Sequence, residues 1–464
     1  MKIIGGNVND EAVKRISTGS AFHVGGGTTE PDHISFGTPT SSATFTDITM
    51  PHHNAVGIGA FYYNAWDYIQ WGDNSVGIFW LDQNDSKDLK YVHLQFNSSS
   101  GELSSQGSEV DLGSDYSATN NYPVLYINKV SDTRCLLWVL VGVQSPWYLT
   151  PSARINLFTY DKDSDSVTKH GSVQEVIFSW NTQDAFKGWA ANVLDSDHAI
   201  FMSMRDTSGV RYREGRIFKF TTTQSIGTTV NTVSEGIAAP NAELDCGIVS
   251  YDSASGKIID DDGGKGILEW TWSGTTLTFG QQLTNYTHQN GGYGQHHGWM
   301  RHDIEAGRRI KCLVNNDFLG NHETNPRWEM YKGRSTVTTT SGLISTSFFP
   351  NRYGKNTTSR SVNYGSKRPA LIDYNEDTYW ERFVHAVRGP STGLVLFPFK
   401  LNWNTPELVS PTTAETLAIT DSNISGNANM LIFPTGTGMK SIFCCVVEGT
   451  SYDPARYLSV PITK

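Results

Sequence analysis

Apolar and polar positions alternate with a period of two in short runs, as in Leu94-x-Phe96 and Leu268-x-Trp270-x-Trp272, the pattern of half-buried strands. One event recurs along the chain: a strand ending in an aromatic, then a polar or Gly-bearing turn, then a strand rich in Thr, Val and Ser. It reads LQFNSSSGELSSQGSEVDL from Leu94, LFTYDKDSDSVTKHGSVQEV from Leu157 and IFKFTTTQSIGTTVNTV from Ile217. It returns as LEWTWSGTTLTFGQQL from Leu268, WEMYKGRSTVTTTSGLIS from Trp328 and LFPFKLNWNTPELV from Leu396. The starts lie about 50 to 70 residues apart, the separation of four-stranded propeller blades with long loops.

Two further apolar runs precede most of these hairpins and supply the inner strands of a blade. They are AVGIGAFYY from Ala55 and SVGIFWL from Ser75 in the first unit, and PVLYINKV from Pro123 and RCLLWVLVGV from Arg134 in the second. In the third they are GWAANVL from Gly188 and HAIFMSM from His198. The polar stretches from Asn285 to Asn325 and from Phe349 to Lys367 do not parse into strands. The chain ends on MLIFPT, SIFCCVVEG and RYLSVPITK, three strands without a fourth. Pairing Ala43 to Met50 beside Tyr457 to Ile462 supplies the missing strand and closes a ring, which removes exposed sheet edges. The expected fold is therefore an all-β propeller of seven blades, with six or eight blades or stacked β-sandwiches as the alternatives. Residues 1–30 form an arm outside the repeat, with a short helix over Asp10 to Ile16 and a joint at Gly25-Gly26-Gly27; residues 31–464 form one propeller domain.

Composition agrees. Only 18% of the 464 residues are charged, beside 44 Gly, 13 Trp, 20 Tyr and 21 Phe, where ordinary domains carry roughly 25% charge. Strands and turns use this mixture; long helices and disordered chains do not. A net charge of −10 repels phosphate backbones and anionic membranes, so neither nucleic acid nor membrane is an expected partner. No apolar run has signal-peptide or membrane-span character, and synthesis in the cytoplasm is expected. The five cysteines, Cys135, Cys246, Cys312, Cys444 and Cys445, sit in apolar runs as small hydrophobes. Neighbouring Cys444 and Cys445 point to opposite sheet faces.

Candidate chemistry is sparse. Asp161, Asp163 and Asp165 alternate as in a calcium loop, but Ser166 and Ser172 stand where that loop needs Gly and Glu. Hairpin-turn chemistry explains the same letters. His296, His297 and His302 crowd a Gly-rich stretch, with His322 and Glu323 able to complete a metal site, yet the spacing matches no zinc pattern. No cofactor is expected. The Ser-x-Asp-x-Gly-x-x-Trp box and a recurrent Trp-Asp blade ending are both missing. Paired carboxylates could be drawn from Asp206, Glu214, Asp245, Asp303 or Glu381, but nothing in the letters pairs them, so a non-enzymatic role is expected. Three aromatic loops are the better binding candidates: Trp66, Tyr68 and Trp71; Trp147 and Tyr148; Tyr379 and Trp380. Rings beside Asp, Asn, Gln or Glu suit a sugar face or a protein interface.

With its ring, its polar arm MKIIGGNVNDEAVKRISTG and blade hairpins such as Phe96 to Glu102 and Phe220 to Thr229 in a charge-poor body, the chain resembles virion proteins of tailed bacteriophages. Propeller modules occur there in tail nozzles, adaptors and host-contacting knobs or fibres. The resemblance is one of style and transfers no motif. It implies location in the virion after synthesis in the host cytoplasm, contacts with other virion proteins and with copies of itself, and attachment to a host-surface glycan. A carbohydrate-binding or carbohydrate-active propeller is the alternative.

Overall fold

The computed structural model describes residues 3–5, 30–40, 43–49, 66–82, 88–116, 124–141, 152–177, 190–207, 210–220, 229–236, 248–252, 255–261, 267–274, 276–284, 296–303, 308–313, 327–331, 343–348, 369–375, 380–388, 393–402, 407–409, 411–420, 430–446 and 454–464. Among them seven antiparallel sheets follow one another along the chain. Sheet one holds Trp66–Gly72, Ser75–Asp82, Asp88–Phe96 and Leu103–Gln106, with Val110–Asp111 also on its third strand. Sheet two holds Val124–Ser131, Arg134–Val141, Ser152–Asp161 and Ser166–Ile177. Sheets three and four run Ala190–Val193, His198–Thr207, Val210–Lys219, Thr229–Gly236 and Ile248–Asp252, Lys257–Asp261, Ile267–Ser273, Thr276–Thr284. Sheet five holds His296–Asp303, Arg308–Leu313, Arg327–Tyr331 and Leu343–Phe348, with Ile3–Gly5 added beside its first strand. Sheet six holds Ala370–Asn375, Trp380–Arg388, Leu394–Asn402 and Glu407–Val409, with Leu417–Ile419 on its third strand. Sheet seven is made from Met430–Thr435, Ser441–Val446 and Pro454–Thr463, joined on its outer side by Ala43–Thr49 and Ser35–Phe36.

The sheets form a closed circuit. First strands of sheets one and two, two and three, three and four, four and five, and six and seven touch, while sheet five meets sheet six through its outer strands. Buried side chains of sheet seven and sheet one share a core of Phe433, Phe443, Cys445, Trp66, Tyr68, Ile78 and Trp80, which joins the last sheet to the first. This is the β-propeller architecture, in which sheets pack face to face around an axis. Each recurrent hairpin read from the sequence is the third and fourth strand of its sheet. Strands of the inner sheets are buried on both faces, because each face meets a neighbouring sheet. Cys444 and Cys445 show this directly: the first lies in the core between sheets six and seven, the second in that between seven and one.

Closure rests on the N-terminal segment. Ala43 pairs with Tyr457 and Thr44 with Arg456, after which the register slips so that Thr49 meets Pro454. Phe45 is 1% exposed, with its ring centroid 5.0 Å from that of Tyr457 and 6.1 Å from that of Phe443. Turns from both sides interlock at this seam. The Thr435 hydroxyl donates to Gly101 O at 2.7 Å, the Ser441 hydroxyl to Ser100 O at 2.6 Å, and Thr437 N to Ser98 O at 2.8 Å. Gly101 and Gly436 have φ of +74° and +84°, and a Cβ on Gly436 would sit 3.1 Å from Gly101 Cα, so both the backbone geometry and the close approach call for glycine.

Two expectations change. The first strand of sheet one is Trp66–Gly72, a stretch expected as a loop, while residues 55–63, expected as that strand, lie outside the described residues. Asp67 and Gln70 disguised the strand. In sheet five, His296–Asp303 and Arg308–Leu313 are strands although both fall in the polar stretch from Asn285 to Asn325, whose letters do not parse into strands. The expected helix over Asp10 to Ile16 and the Gly25–Gly27 joint lie outside the described residues. Among the described residues no helix is long and apolar enough to cross a membrane.

Replacing Phe45 by Ala empties a buried aromatic site and is expected to cost about 3 to 5 kcal/mol. Urea denaturation will show the lowered midpoint; an unchanged midpoint would show that the segment does not close the ring.

Candidate functional site

Register sets the site. Gly77 lies opposite His93 and Ser75 opposite Gln95, so Ser75 and His93 are diagonal neighbours on one face, with Phe79 and Tyr91 further along it. That face packs on sheet two, where Phe158 and Tyr160 join the same core. Gly77 leaves room for the floor: a Cβ there would lie 2.5 Å from Tyr91 Cε2 and 2.9 Å from Trp71 Nε1. Trp71 stacks on Tyr160 at 4.9 Å and 8°, and its indole N–H donates to the Tyr91 hydroxyl at 3.2 Å.

Over this aromatic floor four polar groups meet. Ser75 Oγ is 2.8 Å from His93 Nε2 and 3.2 Å from the Tyr160 hydroxyl. The Tyr160 hydroxyl is 3.1 Å from His93 Nε2 and donates to Asp165 Oδ1 at 2.7 Å. Asp165 Oδ1 also lies 3.7 Å from His93 Nδ1. His93 is 5% exposed, whereas the Asp165 side chain is 61% exposed, so the cluster runs from the seam to solvent. Burial pulls the His93 imidazole below its ordinary range, against the opposing pull of Asp165, and it pushes the Tyr160 phenol up to about 12. Near neutrality the site therefore holds a neutral imidazole, a neutral phenol and a hydroxyl. Asp165 reaches them from a tight turn, with φ of +51°, a conformation that Asp tolerates better than most residues.

The residues singled out from sequence fare differently. Trp66, Tyr68 and Trp71 lie on a strand, not a loop, with exposures of 1%, 6% and 1%. Trp66 and Tyr68 face sheet seven, where Tyr68 meets Phe433 at 4.7 Å; Trp71 faces sheet two. Trp380 begins the second strand of sheet six and is 3% exposed. None of these four presents a ring to solvent, because sheets cover both faces of their strands. Trp147, Tyr148 and Tyr379 lie outside the described residues.

Asp161, Asp163 and Asp165 occupy a hairpin turn. Asp161 accepts from Asp163 N at 2.9 Å and the Ser164 hydroxyl at 2.8 Å, while Asp165 turns to Tyr160, so the carboxylates do not converge on a cation. His296, His297 and His302 sit on the first strand of sheet five, where only the backbone is described; His302 pairs with Arg309 and Ile4. Among the described residues no group of three or more His, Cys, Asp or Glu side chains is placed to hold a metal. Of the candidate carboxylates, Glu381 is fully buried; Asp245 lies outside the described residues. Cys135, Cys444 and Cys445 are free and buried, and burial pushes the Cys444 thiol up to about 12, far from reactive thiolate character.

Sequence reasoning thus found Trp71 and Asp165 but missed Ser75, His93 and Tyr160. One signal was present: His93 interrupts the apolar run LKYVHLQF at a core-facing position.

No protein-family model and no curated protein matches the chain. Among solved structures it is similar to the WD40 domain of SCAP from fission yeast, at 10% identity over 84% of this chain and 82% of that one, with a TM-score of 0.32. It is also similar to a mutant of AofleA from Arthrobotrys oligospora, at 9% identity over 92% of each chain and a TM-score of 0.38. A protein of unknown function from Dyadobacter fermentans aligns at 9% identity over 73% of this chain and 93% of that one, with a TM-score of 0.37. The propeller assignment stands on the sheet order itself.

Because His93 is held neutral, its folded pKa lies below the unfolded value of about 6.5. The unfolded chain then binds more protons, and the stability this site contributes is complete above about pH 6.5 and lost as pH falls through the folded value. Denaturation midpoints from pH 8 to pH 4.5 are expected to fall less in His93→Gln than in the native chain; equal slopes would show that His93 is not held neutral.

Proposed function

We propose that this chain is a structural propeller of a tailed-bacteriophage virion, acting through binding surfaces on a rigid ring and anchored by its N-terminal arm. The observation that supports this reading best is the root of the arm. Lys400, 5% exposed on the third strand of sheet six, donates to Pro31 O at 2.6 Å and pairs with Glu30 Oε1 at 2.6 Å. Arg382 donates to Asp32 O at 3.2 Å and forms a two-pronged pair with Asp373. Ile34, 1% exposed, enters the core between sheets six and seven, and Ser35–Phe36 pair with Thr463 and Ile462. Residues 30–36 are thus tied to two sheets at once, through charge-assisted bonds and a buried side chain, while Ile3–Gly5 pairs on sheet five. Such a root suits a chain tethered to a larger assembly.

A low-charge body supports the same reading, since strand packing and contact between copies need little charged surface. The glycan-binding alternative keeps less support: Trp66, Tyr68, Trp71 and Trp380 stabilise the interior, which removes them as a sugar platform.

Deleting residues 1–25 removes the edge strand Ile3–Gly5 from sheet five but leaves its four other strands, Glu30 to Phe36 and the closing strand in place, so the ring is expected to fold. Particles assembled with the truncated chain are expected to lack it, as read by immunoblot of purified virions. Normal incorporation would overturn the anchoring role.

A further inference from the structure

We propose that the axis-side edge of sheet five is a strand-acceptor site, and that its partner in an assembly is the Ile3–Gly5 segment of a second copy of this chain, exchanged for the chain's own. This deepens the arm-anchored reading by naming a partner for the arm and rests on it for bringing copies together. The test uses the purified chain, so the two can fail separately.

Neighbouring sheets touch mostly through their first strands, so the first strands line the axis. Ile3 pairs with Asp303, Ile4 with His302 and Gly5 with Arg301, all antiparallel, on the side of His296–Asp303 away from Arg308–Leu313. Ile3–Gly5 therefore lies on the axis side of sheet five, and it also touches Ile248–Asp252, the first strand of sheet four. Among the described residues no other sheet carries a strand inward of its first. Sheet five keeps four strands without it, so this strand is an addition to the ring and not part of its closure. What it covers is a row of backbone N–H and C=O groups from Arg301 to Asp303, and main-chain pairing recognises an extended strand whichever chain supplies it.

The connection makes a second copy the fitting partner. Residues 6–29 join Gly5 to Glu30 and reach at most about 80 Å when extended. Glu30 is held by Lys400 on the third strand of sheet six, roughly 20 Å from the axis-side edge of sheet five, counting three strand spacings and one sheet spacing. The tether is thus several times longer than docking on its own ring requires, and the surplus reaches a neighbouring ring. Exchange repeats the same backbone pairs, so no contact is lost. A tether of this length holds its strand at a local concentration on the order of 1 mM. A dilute chain therefore keeps its own strand, and copies packed side by side trade theirs. Ile3 and Ile4 suit the extended backbone that such a strand needs.

The test places cysteines at one register pair, Ile4→Cys with His302→Cys, in a mixture of isotope-labelled and unlabelled full chains under mild oxidant. Peptide mass spectrometry then separates bonds within a chain from bonds between chains. Within-chain bonds joining positions 4 and 302 are expected in dilute solution, and the between-chain share is expected to rise with concentration to about half near 1 mM. Deleting residues 7–27 in the same variant leaves a tether of at most about 14 Å, too short to dock on its own ring, so only between-chain bonds are expected. Arg309→Cys in place of His302→Cys moves the thiol one strand away from the edge and is expected to give neither. Thermal melts matching the native chain establish folding, and Ile3→Cys with Asp303→Cys, the adjoining pair, serves if the first pair lowers the melt. No bond at either pair, bonds that all stay within chains near 1 mM, or a shortened-tether variant without between-chain bonds overturns the proposal.

Discussion

The structure depends on one act of backbone pairing: Ala43–Thr49, from near the start of the chain, lies beside Pro454–Thr463 at its end. A row of sheets without this joint would leave unpaired N–H and C=O groups along sheet seven and would lack the partner that buries Phe45 and Ile48. Such pairing is costly to reach, because the whole intervening chain must fold before the loop entropy is recovered. Once formed it makes every sheet an interior sheet, and other features follow from that. Strands are apolar on both faces, Cys135, Cys444 and Cys445 are buried, and Trp66, Tyr68, Trp71 and Trp380, which look like recognition groups in the sequence, are packed away.

A ring buried on both faces must still place its polar side chains. It does so by making them ties between neighbouring sheets. Asp67, fully buried, accepts from Tyr68 N on its own strand and from Ile127 N of sheet two, each at 2.9 Å. Gln70 reaches the other way, donating to Pro434 O of sheet seven at 2.8 Å, while Lys129 of sheet two donates to Gln70 O at 2.9 Å. A buried carboxylate without partners costs several kcal/mol; here two adjoining first strands supply the donors, and the same bonds fix the angle between sheets.

This explains what could be read from the letters and what could not. The third-and-fourth-strand hairpins were legible because turn chemistry is local: Asp161 to Ser166, or Asn97 to Glu102, encode their bends whatever packs around them. The closing strand was legible from a deficit, since the last unit lacked an outer strand and the segment at Ala43 had no sheet. Trp66–Gly72 was not legible, because WDYIQWG mixes apolar and polar residues in the manner of a loop. Only the neighbours across two seams, Ile127 and Pro434, reveal Asp67 and Gln70 as strand residues. His93 is hidden for the same reason: its meaning depends on Tyr160 and Asp165, which come from a different sheet.

Seams are also where chemistry has to arise in such a ring. Within one sheet, side chains on a face stand in rows about 5 Å apart, too far for a tight cluster of three groups unless one is small. Between sheets, the rows of two faces converge. Gly77 clears space on one face, Asp165 enters from a left-handed turn on the other, and Ser75, His93 and Tyr160 come within 3.2 Å of one another. Ordinary packing supplies the floor, because Trp71 and Tyr91 would be buried there in any case. What distinguishes this seam is that its polar groups satisfy one another beside solvent, whereas Asp67 and Gln70 are satisfied by backbone in the interior. The first arrangement shares its protons among side chains that meet at the seam; the second ties each polar group to backbone.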